Sequence, residues 1–234
     1  MEVQEIHNIT EKDIASKRNN ILIAICLGNK FFLNKNNLRE ENVSGYLQWA
    51  LRNTKEKVLI LIADEIQITN RNVRNKGVTS ETNLKRILED GRIIKSQLKE
   101  LIKKFSKEDQ KEIEIIDWEE YMEKDELCKS TTALIYKEFE ENNLFRNEVF
   151  NTIRNTITDR RFSKEAYWKL CNYILDEFSV IYSGVKYEGD YYGILLYPYM
   201  DPTGYLMKDI MQKSKFPKLA DKLPSKKITY VIMR

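Results

Sequence analysis

ILIAICLGNKFF, residues 21–32, begins with an unbroken apolar run that ends at Cys26. KVLILIA, residues 57–63, is a second run of the same kind. Strands covered on both faces by helices have this composition, because neither face meets water. The two stretches therefore predict two buried, parallel strands in the middle of a sheet.

The rest of the chain alternates between shorter apolar runs and apolar residues at helical spacing. Strands are expected at 20–26, 57–63, 112–116, 193–197 and 228–233. Helices are expected at about 37–53, 80–105, 125–142, 145–160 and 164–181, and loops at 64–79, 183–191, 198–204 and 213–227. This alternation predicts an α/β fold, a single Rossmann-like domain at 20–234 with a mostly parallel central sheet flanked by helices. A polar N-terminal segment, 1–19, precedes it.

Composition limits the class of protein. The 39 Lys and Arg residues nearly balance 36 Asp and Glu, so the net charge of +3 alone indicates no partner. Cys26, Cys128 and Cys171 have no CxxC spacing, which argues against a disulfide framework and a zinc site. The apolar runs are shorter than the ~20 residues of a membrane-spanning helix. We therefore expect a cytoplasmic protein without a metal site.

Cys26 is a candidate nucleophile because of its place in the predicted sheet. Ligands of an open parallel sheet bind outside the carboxyl ends of the strands, and Cys26 lies at such an end. Gly28 would let a ligand approach the backbone, and the Asn29 side chain offers a donor for an oxyanion. The alternative is that Cys26 is a small buried hydrophobe, the usual role of a free cysteine.

The groups that could activate this thiol are few. The sequence has one histidine, His7, in the polar N-terminal segment, so a Cys–His pair of the protease type is not expected. No GxxxxGKS/T loop occurs, nor a nucleotide-activating signature with histidines on a helix. An acyl-transfer enzyme with this sequence must therefore receive a substrate that is already activated.

Two tyrosines and a glutamate are further candidates. Tyr173 and Glu177 are four residues apart and share one helical face, where a carboxylate could bind an ammonium group or transfer a proton. Asp176 falls on a neighbouring face. Tyr197 ends a predicted strand at the same sheet edge as Cys26. The alternative for all of them is ordinary: tyrosines packed in the core and carboxylates in solvent.

Several short motifs resemble those of the cyclodipeptide synthases and occur in the same order. They are CLGNKFF (26–32) with Asn36, LQWA (47–50), FEEN followed by FRNEVFNTIRNTITDR (139–160), NYILDE (172–177) and ILLYP (194–198). The resemblance runs from about residue 20 to the C-terminus. It implies a fold similar to the catalytic domain of class I tyrosyl- and tryptophanyl-tRNA synthetases, without their ATP-binding signatures. It also implies an aminoacyltransferase of secondary metabolism that needs no cofactor and joins two aminoacyl-tRNAs into a cyclic dipeptide, a diketopiperazine.

The resemblance assigns catalytic roles to four residues. Cys26 stands where the family has a nucleophilic serine, and would carry the first aminoacyl group. Tyr173 and Glu177 would anchor the α-ammonium of that group, and Tyr197 would assist proton movement as the ring closes. A thiol can replace the hydroxyl, because it is the better nucleophile near neutral pH and a thioester is a good acyl donor to an amine. The sequence is equally compatible with a natural cysteine and with one introduced in place of serine at position 26.

The resemblance also implies which residues line the two pockets that bind the aminoacyl groups. The first is expected to be apolar and contains Leu22, Ala24, Leu61, Ala63 and Leu195. The second is expected to be polar and contains Thr152, Asn155, Thr156, Asp159, Tyr199 and Asp201. Asn29, a further substrate-binding residue, matches one branch of the family, whereas Tyr197 and Pro198 match the other. The carboxylates and the amide of the second pocket predict a polar or basic residue in the product, for example His, Lys or Arg.

The predicted helix 80–105 has a basic arc opposite an apolar one. The apolar arc consists of Leu84, Ile87, Ile94, Leu98, Leu101 and Phe105. The basic arc consists of Lys85, Arg92, Lys95, Lys99 and Lys103. Because the family binds tRNA through basic residues of the matching helix, we expect this basic arc to neutralise phosphates, although most such stripes are simply solvated. The expected protein is a monomer that binds two aminoacyl-tRNAs and neither DNA nor a membrane.

Two other classes of function stay open. A non-catalytic tRNA-binding or nucleotide-binding Rossmann-like module would share the fold and the basic arc but would not need Cys26. A cysteine-dependent acyltransferase or hydrolase acting on a small thioester would need Cys26 but not the basic arc.

Overall fold

The computed structural model describes residues 2–7, 14, 16–17, 19–157, 162–224 and 228–233. Its strands are β1 (Val3–His7), β2 (Asn20–Cys26), β3 (Leu33–Asn34), β4 (Asn37–Leu38), β5 (Val58–Ala63), β6 (Ile113–Asp117), β7 (Val185–Tyr187), β8 (Asp190–Tyr197) and β9 (Thr229–Met233). Its helices are α1 (Glu40–Asn53), α2 (Ile68–Arg74), α3 (Ser80–Ile102), α4 (Lys107–Glu112), α5 (Trp118–Lys124), α6 (Glu126–Glu141), α7 (Asn143–Thr156), α8 (Lys164–Ser183), α9 (Pro202–Met211) and α10 (Pro217–Ala220), with a 3-10 turn at Glu65–Gln67.

A central sheet has the strand order β1-β9-β8-β2-β5-β6, and β7 pairs with β8 outside this path. Strands β9, β8, β2, β5 and β6 are parallel, while β1 and β7 run antiparallel to their neighbours. β2 therefore lies inside the sheet, and all of its residues are buried. This architecture confirms the predicted α/β fold with a mostly parallel sheet.

Alternation along β2 divides the core into two parts. Ile21, Ile23 and Ile25 face a cluster that includes buried residues of α1 and α3. Leu22, Ala24 and Cys26 face the other cluster, to which α5 to α9 contribute. Because successive side chains of a strand point to opposite faces, the register of β2 places Cys26 on the side covered by α8.

The long elements lie close to their predicted positions, and the short ones were missed. The 64–79 region, predicted to be a loop, contains the 3-10 turn and α2, and the other predicted loops contain β7, the start of α9 and α10. Helices α4 and α5 were not predicted either. Elements of three to ten residues present too few apolar repeats to stand out in a sequence. The predicted helix 145–160 corresponds to α7, which ends at Thr156, and 158–161 lie outside the described residues.

Val3–His7 were expected to lie outside the sheet, and this expectation is wrong. They form β1, which pairs antiparallel with β9, and His7 pairs with Tyr230. An edge strand of this kind gains main-chain hydrogen bonds while one side stays in water, so it needs little apolar character. His7 lies three strands away from β2, about 14 Å across the sheet. The sheet therefore separates the histidine from Cys26.

None of the helices within the described ranges has the length and apolar composition that a membrane crossing requires.

Asp64 ties the carboxyl end of β5 to neighbouring elements. Its carboxylate accepts hydrogen bonds from the backbone N–H of Glu65 (2.9 Å) and of Trp118 (3.2 Å), at the starts of the 3-10 turn and α5. Helix α3 passes directly over this carboxylate at Gly91, where an added Cβ would overlap Asp64 Oδ2. A glycine is therefore required at position 91 for the two elements to approach.

Replacing Gly91 by alanine is expected to lower the free energy of unfolding by about 1–3 kcal/mol, because the buried carboxylate must move. Helix propensity alone predicts the opposite, a gain of about 1 kcal/mol. Urea unfolding measures the change. Ser96→Ala, on the exposed side of the same helix, is the control and should stay within about 0.5 kcal/mol. Equal stability of the two variants would contradict the close packing of α3 on Asp64.

Candidate active site

Cys26 ends β2 next to two side chains that are distant in sequence. The thiol lies 3.9 Å from Glu177 Oε1, to which it can donate, and the Tyr197 hydroxyl donates toward Sγ at 3.8 Å. Glu177 is on α8 and Tyr197 is the last residue of β8. The carboxyl ends of adjacent parallel strands and one face of α8 thus bring together three residues that the sequence analysis selected.

Tyr173 completes the group from the preceding turn of α8. Its hydroxyl donates to Glu177 Oε1, as the spacing of four residues allows. Gln67 Nε2 donates to the Tyr173 hydroxyl at 3.2 Å, and Gln67 Oε1 accepts from Asn70 Nδ2 at 2.9 Å. Gln67 was not predicted, because it lies in a region expected to be a loop. A chain of hydrogen bonds therefore links α2 to the carboxylate beside Cys26.

Burial favours the uncharged forms of Cys26, Tyr173, Glu177 and Tyr197 near neutral pH. Desolvation is the largest cause that raises the pKa of the Cys26 thiol, and the neighbouring Glu177 raises it further. Desolvation likewise raises the pKa of Glu177 from 4.5 to about 8, against the opposing effect of the Tyr173 hydrogen bond. The pKa values of Tyr173 and Tyr197 are also raised by desolvation. A cation entering the site would stabilise the ionised form of Glu177.

Two cavities meet at Cys26. The first, called here the apolar cavity, has a volume of about 60 Å³, and its lining includes Ala24, Leu61, Ala63, Trp118, Leu195 and Tyr230. The second, called here the polar cleft, has a volume of about 400 Å³ and lies between α2 and the end of α7. Both are lined by Cys26, Tyr173, Tyr197, Tyr199 and Asp201. A group held at the thiol can therefore extend in two directions.

Most of the residues assigned to the first pocket surround the apolar cavity. Ala24, Leu61, Ala63 and Leu195 line it. Leu22 does not line it, because it lies deeper in the sheet and is fully buried. Trp118 and Tyr230, which the sequence analysis did not select, close the cavity instead, and the Tyr230 hydroxyl donates to the backbone oxygen of Ile181 at 3.1 Å.

Only some of the residues assigned to the second pocket line the polar cleft. Thr156, Tyr199 and Asp201 do, as does Asn29, which was predicted separately to bind substrate. Thr152 is buried and Asn155 is exposed, and neither lines the cleft; Asp159 lies outside the described residues. Asp201 also caps α9 by accepting from the Gly204 N–H at 2.9 Å.

Helix α3 ends at Ile102, so it carries the predicted apolar arc without Phe105, and Lys103 is its C-cap. The basic arc is partly neutralised. Lys95 Nζ lies 2.8 Å from Asp117 Oδ2, Arg92 lies 3.5 Å from Glu89, and Lys103 lies 2.6 Å from Glu100. Lys85 and Lys99 are exposed and have no ion-pair partner among the described residues. None of the five basic residues lines the polar cleft. The basic arc is therefore a surface separate from the Cys26 site.

Comparison with known proteins gives matches in structure only. No family model and no curated protein sequence matches this chain. A crystal structure of cyclo(L-leucyl-L-phenylalanyl) synthase matches with a TM-score of 0.74 at 18% identity, covering 99% of this chain and 98% of that one. The chain has the fold of the cyclodipeptide synthases.

Two further solved structures of this fold bear on its relationships. A Mycobacterium tuberculosis protein, whose structure is described as relating cyclodipeptide synthetases to type I tRNA synthetases, matches with a TM-score of 0.72 at 12% identity, over 97% of this chain and 91% of that one. A cyclodipeptide synthase from Candidatus Glomeribacter gigasporarum, bound to Phe-tRNAPhe, matches with a TM-score of 0.57 at 15% identity, over 96% and 92%. The predicted likeness to the class I synthetase fold is thus confirmed.

The raised pKa of Glu177 predicts a dependence of stability on pH. The unfolded chain loses this proton near 4.5 and the folded protein near 8, so the free energy of unfolding falls as pH rises between these values. Glu177→Gln removes this titrating group. Between pH 5 and pH 8 the free energy of unfolding of the variant is expected to fall by at least about 2 kcal/mol less than that of the wild type. Urea unfolding at the two pH values measures it. Glu100→Gln, an exposed control on α3, should decline like the wild type; an equal decline in Glu177→Gln would contradict the burial of a protonated carboxyl.

Proposed function

We propose that this protein is a tRNA-dependent cyclodipeptide synthase that works through an aminoacyl-enzyme on Cys26. The fold supports the proposal, since a solved structure of the same fold carries Phe-tRNAPhe. The observation that carries it is the position of the Cys26 sulfur, within 4 Å of Glu177 and Tyr197 and at the junction of two cavities. An acyl group on this sulfur has a place for its side chain on one side and an open route for a second substrate on the other.

In the first step the thiol attacks the ester carbonyl of one aminoacyl-tRNA. A C–S bond forms, the C–O bond to the ribose breaks, and the thiol proton ends on the ribose oxygen. Because the pKa of Cys26 is raised, the sulfur loses its proton during the attack and not before it. Glu177 Oε1, at 3.9 Å, is the carboxylate placed to take that proton and return it to the leaving oxygen.

Glu177 and Tyr173 also hold the α-ammonium of the bound aminoacyl group. The ammonium supplies the positive charge that stabilises a buried carboxylate, and it thereby lowers the raised pKa of Glu177. The Tyr173 hydroxyl, fixed by Gln67 and Glu177, orients the carboxylate toward Cys26. The substrate thus brings the charge that converts the resting acid into a base.

Asn29 is the proposed donor to the ester carbonyl oxygen. Its side chain is 3% exposed, and Oδ1 accepts from the Phe31 N–H at 2.9 Å, which fixes its orientation. Nδ2 has no hydrogen-bond partner among the described residues, and Asn29 lines the polar cleft beside Cys26. A fixed, unpaired N–H of this kind stabilises the negative charge that develops on the oxygen.

The second and third steps use the same sulfur. Glu177 takes one proton from the α-ammonium, and the resulting amine attacks the ester carbonyl of the second aminoacyl-tRNA. An amide C–N bond forms, the C–O bond to the second ribose breaks, and the second amine proton leaves with the ribose oxygen. The free amine of the resulting dipeptidyl-enzyme then attacks the thioester. The ring closes, the C–S bond breaks and the proton returns to sulfur, with Tyr197, which donates toward Sγ at 3.8 Å, assisting that transfer. The protein acts as a monomer on two aminoacyl-tRNAs.

Replacing Cys26 by alanine is expected to lower diketopiperazine formation at least about 10³-fold, because no sulfur remains to carry the acyl group. Expression in bacteria followed by mass spectrometry of the medium measures the product. Intact-mass analysis of acid-quenched protein should show an aminoacyl adduct on the wild type only. Cys171→Ala, a buried free cysteine at 0% exposure outside the site, is the matched control and keeps the adduct.

The result also separates the other functions. A tRNA-binding module would give no product from the wild type, and a thioester hydrolase would give an adduct from a small thioester but no diketopiperazine. Product from Cys26→Ala at the wild-type rate would contradict covalent catalysis.

The two cavities predict a cyclic dipeptide whose two residues differ in character. The apolar cavity, about 60 Å³, is smaller than the ~150 Å³ site that admits benzene in other proteins, so it favours an aliphatic side chain in the first residue. Asp201 borders both cavities, and a side chain in the larger polar cleft can reach it, which favours a polar or basic second residue through a charge-assisted hydrogen bond. Incubation with a complete set of aminoacyl-tRNAs and mass spectrometry tests this. Asp201→Asn keeps an acceptor that can cap α9, and it should reduce the fraction of products that contain a basic residue. A wild type that makes only apolar diketopiperazines would contradict the predicted preference.

A further inference from the structure

Residues 66–80, IQITNRNVRNKGVTS, contain no acidic residue although acidic residues are about as frequent as basic ones in the whole chain. The segment carries Arg71, Arg74 and Lys76 together with four amide side chains. Only Ile66 and Val73 of this segment are buried, so they attach it to the core, while its polar residues are partly or fully exposed. A cationic, amide-rich surface is typical of contacts with nucleic acid, where arginine binds phosphate and amides bind base and sugar groups.

One side of this segment forms a wall of the polar cleft, directly facing the Cys26 site. This side, called here the α2 wall, consists of Gln67, Asn70, Arg71, Arg74 and Asn75. The opposite side holds the segment in place, since Asn72 donates to Ser80 and accepts from Asn83. These hydrogen bonds hold the α2 wall in a defined position beside the cleft.

Arg74 is the available cation of the α2 wall. Arg71 is held by Asp90 at 2.6 Å, and this carboxylate compensates its charge. Arg74 is exposed and has no ion-pair partner among the described residues. The basic arc of α3 does not replace it, because those residues do not line the cleft. Arg74 thus places an unpaired positive charge in the same cavity as the nucleophile.

Asn70 adds an unpaired acceptor. Its Nδ2 donates to Gln67 at 2.9 Å, which fixes the amide, while its Oδ1 is buried and has no partner among the described residues. A buried acceptor without a donor destabilises the free protein, so a ligand that donates a hydrogen bond there removes that cost and gains affinity. The α2 wall therefore offers one cation and one acceptor to a ligand with an anionic group and a donor group.

We propose that the α2 wall binds the 3′-terminal nucleotide of the aminoacyl-tRNA. Arg74 binds the phosphate of that nucleotide, and Asn70 Oδ1 accepts a hydrogen bond from one of its hydroxyl or amino groups. The inference rests on the proposed function, because the reacting ester joins the aminoacyl group to the terminal ribose. When the carbonyl carbon is at Cys26 and the aminoacyl side chain points into the apolar cavity, the ribose and its phosphate must lie in the polar cleft.

The test compares two acyl donors that differ in the nucleotide. Acyl-enzyme formation is measured with an aminoacyl-tRNA and with the cyanomethyl ester of the same amino acid, which has no nucleotide. With aminoacyl-tRNA, Arg74→Ala is expected to raise KM about tenfold and to reduce the slope of log affinity against log salt by about 0.7–1. Arg74→Lys keeps the charge and should keep the salt slope. With the ester, the ratio of variant to wild-type rate should stay near one.

Arg52→Ala, an exposed arginine in the last turn of α1, is the matched control, and its KM for aminoacyl-tRNA should equal that of the wild type. Asn70→Ala should also raise KM for aminoacyl-tRNA without changing the ester reaction. Equal losses with both donors would mean that Asn70 acts through Gln67 and Tyr173, which overturns the contact proposed for Asn70.

An Arg74→Ala variant that behaves like Arg52→Ala overturns the role of the α2 wall while the proposed function stands. If the wild type forms no acyl-enzyme with either donor, the proposed function itself fails.

Discussion

The exclusion of water from both faces of β2 is the constraint on which the rest of this structure depends. It fixes the register of the strand, because a shift by one residue would turn the whole set of isoleucines toward the wrong helices. The same register delivers Cys26 to the face covered by α8. The packing of the helices and the position of Cys26 are therefore consequences of one alternation of side chains.

The exclusion of water also determines the protonation states of the residues around Cys26. A thiol, two phenols and a carboxyl group share a volume in which any isolated charge is costly, and the raised pKa values of Cys26 and Glu177 express that cost. Near neutral pH, burial therefore favours the uncharged forms of these four groups. A substrate that carries its own positive charge changes this balance, whereas an uncharged thioester or ester does not. Under the proposed mechanism, burial would therefore select for an α-ammonium group as much as any direct contact would.

Long elements and local spacing could be predicted from the sequence, and spatial partners could not. The unbroken runs at β2 and β5 and the spacing of Tyr173 and Glu177 indicated both the fold and part of the site. Gln67 and Arg74 were missed, because the 3-10 turn and α2 that contain them are three and seven residues long and each has one buried residue. Lys95 was counted as a free charge since nothing in a linear sequence reveals that Asp117, at the end of β6, lies 2.8 Å away.

The pairing of β1 with β9 has a consequence for handling the protein. All five residues of β9 are buried, and β1 covers the hydrogen-bonding groups along its outer side. Without the first strand, an apolar ribbon with unpaired N–H and C=O groups would form the border of the sheet, the kind of surface that recruits other chains. Shortening the N-terminus should therefore favour aggregation while leaving Cys26, Tyr173, Glu177 and Tyr197 in place.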